Sequence, residues 1–220
     1  SVLFGCANLG SVNSVNSVNY FDRGQMHFNK GEYSIAIENY NKAINNNQKT
    51  ALAYNSRCSA FRIKFEYDLA IRDCTEAIRL NPELQYAYLI RGDSYRAKGN
   101  YNSAIEDSTE AIRLCLTCSA GYTVRAMTYL DMGNFKKAEE DWRKGADLAS
   151  KIKNKAMILK NIGLIYLNQK KWESALIHAK NINEMRNDNS SNWLFLAIAA
   201  DKIGDINLAK SAHKKWMTLQ

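Results

Sequence analysis

An all-α solenoid of about six antiparallel helix pairs is the fold this sequence predicts, and three observations predict it. The phrase DCTEAIRL (73–80) returns as DSTEAIRL (107–114), 34 residues on and changed at one position. An alanine recurs as Ala36, Ala70, Ala104 and Ala138 at intervals of 34, then as Ala175 after 37 and Ala209 after 34 again. Around these alanines the apolar residues fall at helical spacing, the signature of a stacked repeat array. Pro82 is the single proline in 220 residues, which argues against a proline-punctuated all-β chain. No apolar run approaches the roughly 20 residues that cross a bilayer.

Residues 1–16 precede the repeats and read as a flexible tether, the tripeptide SVN being repeated from position 11 onward. The copies then follow in order. The first, 17–50, carries the small residue Gly24, the turn glycine Gly31, the aromatic Tyr33 and Ala36. The second, 51–84, repeats the scheme with Cys58, Tyr67 and Ala70; the third, 85–118, with Gly92, Gly99, Tyr101 and Ala104. The fourth, 119–152, uses Ala126, Gly133, Phe135 and Ala138. Residues 153–155 are an insertion, after which 156–189 carries Gly163, Trp172 and Ala175. A shorter sixth copy, 190–220, has Ala197, Gly204, Ile206 and Ala209. The domain division is therefore 17–152 for copies one to four and 156–220 for copies five and six.

One copy explains the rest. In 87–100 apolar residues at helical spacing end at Gly99-Asn100, where glycine closes a helix. From Tyr101 a second helix presents Tyr101, Ala104, Ile105, Ala111 and Ile112 on one face. Gly92 and Ala104 let the two helices approach closely, and aromatic rings fill the space between successive pairs. One pair cannot cover its own apolar face, so the pairs must stack. In the repeated phrase the charged residues are expected on the outer surface.

Tyr88, Gly92, Tyr95, Ala104 and Ala111 in one copy, and Tyr54, Phe61, Ala70, Ala77 and Pro82 in the one before, resemble the tetratricopeptide repeat at its period of 34. The resemblance runs over about residues 17–220. It implies a right-handed superhelix whose first helices line a concave groove that binds a peptide or helix of another protein, without catalysis. On that basis the candidate groove residues are Asn55, Arg62, Tyr86, Leu89, Ile90, Asp93, Arg96, Thr123, Met127, Leu130, Lys160 and Asn161. Phe28, Ser59 and Val124 also belong to the inward face. One subset of the family clamps the C-terminal carboxylate of heat-shock chaperones with lysines, an arginine and asparagines. Here Phe21 and Tyr86 stand at the lysines, Gln25 and Ser56 at the asparagines, and Ile90 at the arginine. The charge-assisted hydrogen bonds of that clamp are missing, so a chaperone tail is not the expected partner.

Other residues bear on competing functions. Leu3-Phe4-Gly5-Cys6 resembles the lipobox of bacterial lipoproteins, which implies lipidation at Cys6 and, with Ala7 following, an outer-membrane location facing the periplasm. Such a chain would resemble the repeat lipoproteins that assist type IV pilus or other envelope assembly. The alternative is a frayed N-terminus with a stray cysteine on a cytoplasmic chain. Cys58 and Cys74 occupy columns of small or apolar residues and read as core thiols. Cys115 and Cys118 fill the turn after the third copy; zinc would need two further ligands, and a turn disulfide is the other option. His27 falls where aromatic packing residues recur and reads as core. With no Gly-rich phosphate loop and no nucleophile beside a base, no cofactor or metal is expected.

The chain carries a formal +8, concentrated at its end: residues 153–220 hold eleven lysines and arginines against five acids. This supports an alternative function, electrostatic binding of nucleic acid or an anionic membrane through the basic C-terminal third. Lysine outnumbers arginine and aromatic interleaving is sparse there, so specific nucleic-acid reading is not expected. At the last helix, Lys210, Lys214 and Lys215 either solvate the final face or leave Leu208, Trp216 and Leu219 for a partner or a second copy.

Overall fold

The structure, a computed structural model, describes residues 19–149 and 152–220. Cys6 and the tether over 1–16 lie outside the described residues. Within them are twelve α-helices and no strand, arranged as six consecutive pairs. The pairs are α1 (Tyr20–Asn29) with α2 (Tyr33–Asn45), α3 (Thr50–Ile63) with α4 (Tyr67–Leu80), and α5 (Gln85–Ala97) with α6 (Tyr101–Leu114). They continue as α7 (Ser119–Asp131) with α8 (Phe135–Leu148), α9 (Ile152–Asn168) with α10 (Trp172–Met185), and α11 (Ser190–Ile203) with α12 (Ile206–Thr218). The large residue three before each ladder alanine is the first residue of a second helix in all six pairs. Residues 153–155 do not form a separate loop: they lie inside α9, at 17 residues the longest helix described.

Each pair turns on one left-handed residue. Gly31, Gly99, Gly133 and Gly204 take φ between +74° and +83°, and Phe65 and Lys170 hold the same register at +63° and +58°. The next N–H then reaches back over the helix end, as from Asn100 to the Tyr95 carbonyl and from Lys171 to that of Tyr166. The carbonyls orphaned at the helix terminus are thereby satisfied.

Close approach inside the pairs follows the small-residue column. Ala36, Ala70, Ala104, Ala138 and Ala175 are fully buried. A Cβ on Gly92 would stand 3.2 Å from the Asp107 Cβ and 3.3 Å from the Ala104 carbonyl oxygen. At Gly163 it would stand 2.4 Å from the Phe195 ring, so this site admits glycine alone without displacing a buried aromatic. Helices α1, α3, α5 and α7 touch in succession, whereas the second helices touch chiefly the first helices that flank them. The closely spaced first helices line the inside of the curve.

Two corrections concern what lies between paired helices. Asp73 and Asp107, expected on the outer surface, are buried, as is Asp141 one copy further on. Each accepts two hydrogen bonds from an arginine 16 residues earlier: Arg57 to Asp73 at 2.5 and 2.9 Å, Arg91 to Asp107 at 2.8 and 2.7 Å, Arg125 to Asp141 at 2.7 and 2.8 Å. The third nitrogen of each guanidinium donates to the preceding copy, to Asn41, Thr75 and Thr109 at 2.6, 3.1 and 2.9 Å. The guanidinium carbons lie 5.2 to 5.7 Å from the rings of Tyr54, Tyr88 and Tyr122. Charge is tolerable here because each aspartate meets its guanidinium with both oxygens and the third guanidinium nitrogen is bonded as well. The cysteines give the second correction. Cys58 and Cys74 are buried as expected but joined as a disulfide between α3 and α4, and Cys115 and Cys118 are also bonded. His27 is half-buried rather than core, its Nδ1 2.5 Å from Glu32 Oε2; that hydrogen bond holds the Glu32 carboxyl below its ordinary value.

Candidate binding groove

On the inner face, α3, α5, α7 and the start of α9 enclose a concavity of about 580 Å³. Of the twelve groove residues expected from the sequence, seven line it: Arg62, Leu89, Ile90, Asp93, Arg96, Thr123 and Met127. Ser59, Val124 and Phe28 line it too. Leu130 and Asn161 sit one step along, in a smaller cleft of about 210 Å³ with Trp142, Leu164 and Ile165. Three of the twelve line neither space. Asn55 is half-buried on α3, Tyr86 stands 67% exposed at the start of α5, and Lys160 donates to Ser191 Oγ at 3.0 Å, tying α9 to α11.

The sequence pattern does not point to Ile63, Ser119, Ala120, Met157 and Ile158, which also line the groove. Ser119 and Ala120 begin α7, and Met157 and Ile158 close the end of the concavity from α9. The signal for Met157 and Ile158 was the insertion at 153–155: once it is part of α9, the inward face of that helix begins a turn before Lys160.

The floor is apolar, from Ile63, Ile90, Val124 and Met127, while a chain of charges crosses it. Arg62 Nε donates to Asp93 at 2.7 Å, Asp93 accepts from Arg96 at 2.9 and 3.1 Å, and Arg96 Nη1 reaches Asp131 at 2.7 Å. Burial works against the charge on Arg96, but its bonds to Asp131 and Asp93 more than offset this and hold its pKa above the ordinary arginine value. Two arginines and two aspartates thus neutralise one another across α3, α5 and α7. A ligand carboxylate entering here would have to displace Asp93 or Asp131 rather than meet a free cation. Among the described residues no cluster of His, Cys, Asp and Glu is arranged to hold a metal, and no helix is long and apolar enough to cross a membrane.

Stacked helix pairs with a concave, charge-balanced groove on their first helices define an α-helical repeat scaffold. A family model described as the tetratricopeptide repeat matches residues 19–50, 86–118 and 120–152, and the chain belongs to the tetratricopeptide-repeat proteins. No curated protein sequence matches it. Among solved structures it is similar to PilF of Pseudomonas aeruginosa, with 17% identity and a TM-score of 0.74 over 91% of this chain and 90% of that one. It is also similar to a thermophilic TPR protein of Thermus thermophilus, with 17% identity and a TM-score of 0.66 over 82% of this chain and 97% of that one. YrrB, described as a TPR protein with an unusual peptide-binding site, aligns at 17% identity and a TM-score of 0.58 over 82% of this chain and 92% of that one. Likeness at these identities concerns the fold.

Proposed function

We propose that the chain is a non-enzymatic interaction scaffold that holds a peptide or helix of another protein in the groove of α3, α5, α7 and α9. The observation that carries this reading is the concavity itself: an apolar floor of the size of a few side chains, with its own charges already paired. Such a surface rewards apolar anchors and offers backbone and rim contacts, the manner in which helices and extended segments are held in grooves. YrrB, with its described peptide-binding site, lends support by likeness of fold. The partner is not of the chaperone C-terminal type, since the arginines that could hold a carboxylate are held by Asp93 and Asp131.

Met127 is the residue to test. Leu89 is 7% exposed, so a charge there would disturb folding, whereas Met127 is only partly buried. Panning a displayed peptide library against the protein should enrich sequences with spaced apolar anchors. A Met127→Glu variant, folded by its far-UV circular dichroism, should bind the enriched peptides at least about tenfold more weakly. A library that yields no enriched sequence, or peptides indifferent to Met127→Glu, would overturn the groove assignment.

The same reading includes a bacterial envelope location with lipid on Cys6 and a part in envelope assembly, supported by the lipobox-like residues 3–6 and by two disulfides, which persist in oxidising compartments such as the periplasm. Intact-mass analysis of protein extracted from outer membranes should show acylated Cys6, and Cys6→Ser should shift the chain to the soluble fraction. Unmodified Cys6 in a chain recovered only from cytosol would sink the location.

A further inference from the structure

The basic C-terminal third acquires a specific shape at its last helix pair. In earlier copies the second helix is covered by the next copy's first helix: α3 packs on α2, α5 on α4, and so on to α11 on α10. Among the described residues nothing covers the equivalent face of α11 and α12. Met217 registers the difference. One, two and three copies earlier its counterparts Asn183, Ala146 and Ile112 are 7%, 3% and 8% exposed, whereas Met217 is 62% exposed. The face is concave, a depression of about 560 Å³. Its floor is apolar, from Leu194, Ala197, Ile198 and Met217, and Lys202, Lys210 and Lys214 stand on its rim with Asp201 the one acid among them. Leu208, which the sequence left open as one residue of a partner-facing set, packs against the core.

The charges set this face apart from the groove. In the groove each arginine is held by an aspartate; here none of Lys202, Lys210 and Lys214 has an acidic partner among the described residues. Three unpaired cations round an apolar floor ask for a ligand carrying both acids and an apolar stripe. A phosphate backbone would satisfy the lysines but leave Ile198 and Met217 in water. A flat membrane would not fill a concavity. A second copy docked by this same face would set lysine against lysine.

We propose that α11 and α12 dock an amphipathic helix of a partner protein whose apolar stripe is flanked by aspartates or glutamates. Such a helix would lie on α11 and α12 as α11 lies on α10 and the helix before it. Helices α11 and α12 are 14 and 13 residues long, so four turns of partner helix suffice to span the face.

The test uses fluorescein-labelled synthetic peptides of about 16 residues, a little over four turns. One carries leucines at i, i+3, i+4 and i+7 spacing flanked by glutamates, one has lysines in place of the glutamates, and one scrambles the acidic peptide. Anisotropy titration against the 220-residue protein should show binding of the acidic peptide, weakened by added salt, and little binding of the other two. Lys210 and Lys214 are exposed, so the variant Lys210→Glu with Lys214→Glu should stay folded while it binds the acidic peptide at least about tenfold more weakly and gains affinity for the lysine peptide. Met127→Glu should leave acidic-peptide binding unchanged. The proposal fails if the acidic peptide does not bind, if charge reversal leaves its affinity unaltered, or if Met127→Glu rather than charge reversal abolishes it. It fails equally if duplex DNA or phosphatidylglycerol vesicles displace the peptide at comparable concentration. Sedimentation showing a dimer that Met217→Glu dissociates would assign the face to a second copy and overturn the proposal.

Discussion

Replacing Asp107 by alanine should lower the unfolding free energy by about 3–5 kcal/mol, the cost of leaving a buried charge without its partner. Asp107 is 6% exposed and meets the Arg91 guanidinium with both oxygens, at 2.7 and 2.8 Å. Burial pushes the Asp107 carboxyl upward and the bonds from Arg91 pull against it. Without the carboxylate, Arg91 retains only its bond to Thr75 and the face of Tyr88. A double variant, Arg91→Leu with Asp107→Leu, removes both charges and should recover most of the loss, because an apolar pair of similar size has no charge to desolvate. Urea unfolding of the three proteins measures this. A single variant that loses less than about 1 kcal/mol, the scale of an exposed pair, would show that the rung is not a buried pair in solution. Stability in stacked repeats is close to a sum over neighbours, so the same substitution should also split the transition, the third copy being central to the array.

Truncating Trp142 to alanine should cost about 3–5 kcal/mol, the usual loss for a large aromatic in a packed core. Trp142 is 1% exposed and heads the fully buried side chains by volume. It belongs to a continuous apolar cluster running from Ala126 to Ala212, so the cavity would open where copies four and five meet. Its indole N–H has no hydrogen-bond partner. Trp142→Phe therefore loses ring area but no bond and should cost less than half as much as the alanine variant. Equal costs for the two would mean that the indole nitrogen is bonded in solution. Thermal melts followed by circular dichroism separate these outcomes.

Much of this architecture was legible from single columns of residues. The alanines and the large residue three before each were sufficient to place every second helix, because a helix must put its smallest residues where its partner comes closest. Gly31, Gly99, Gly133 and Gly204 announced four of the six turns; Phe65 and Lys170 hid the others, since both adopt positive φ without being glycine. The arginine–aspartate rungs were present in the sequence as well, with arginine at 57, 91 and 125 and aspartate at 73, 107 and 141. Charge alone puts them on the outer surface, because composition does not say that residues 16 apart meet across a helix pair. The same offset joins Cys58 to Cys74. The run ends where the chemistry changes. At the corresponding positions the first copy has Arg23 and Asn39, and the fifth has Ile162 and His178. Ile162 is fully buried and His178 sits edge-on to Tyr166 at 5.2 Å, so at this position the two helices of the fifth copy meet without an ion pair.

The sequence by itself determined the period and the six helix pairs, since repeating small and large residues at helical spacing leaves one way to bury them; the groove on the first helices was an expectation drawn from the family resemblance. Only the tertiary structure decided which charges in that groove are spoken for. Arg62, Asp93, Arg96 and Asp131 lie on three successive helices, and their pairing depends on distances of a few ångströms across copies that no periodicity encodes. It also decided which lysines have no acidic partner among the described residues: Lys202, Lys210 and Lys214 stand round an apolar depression on α11 and α12.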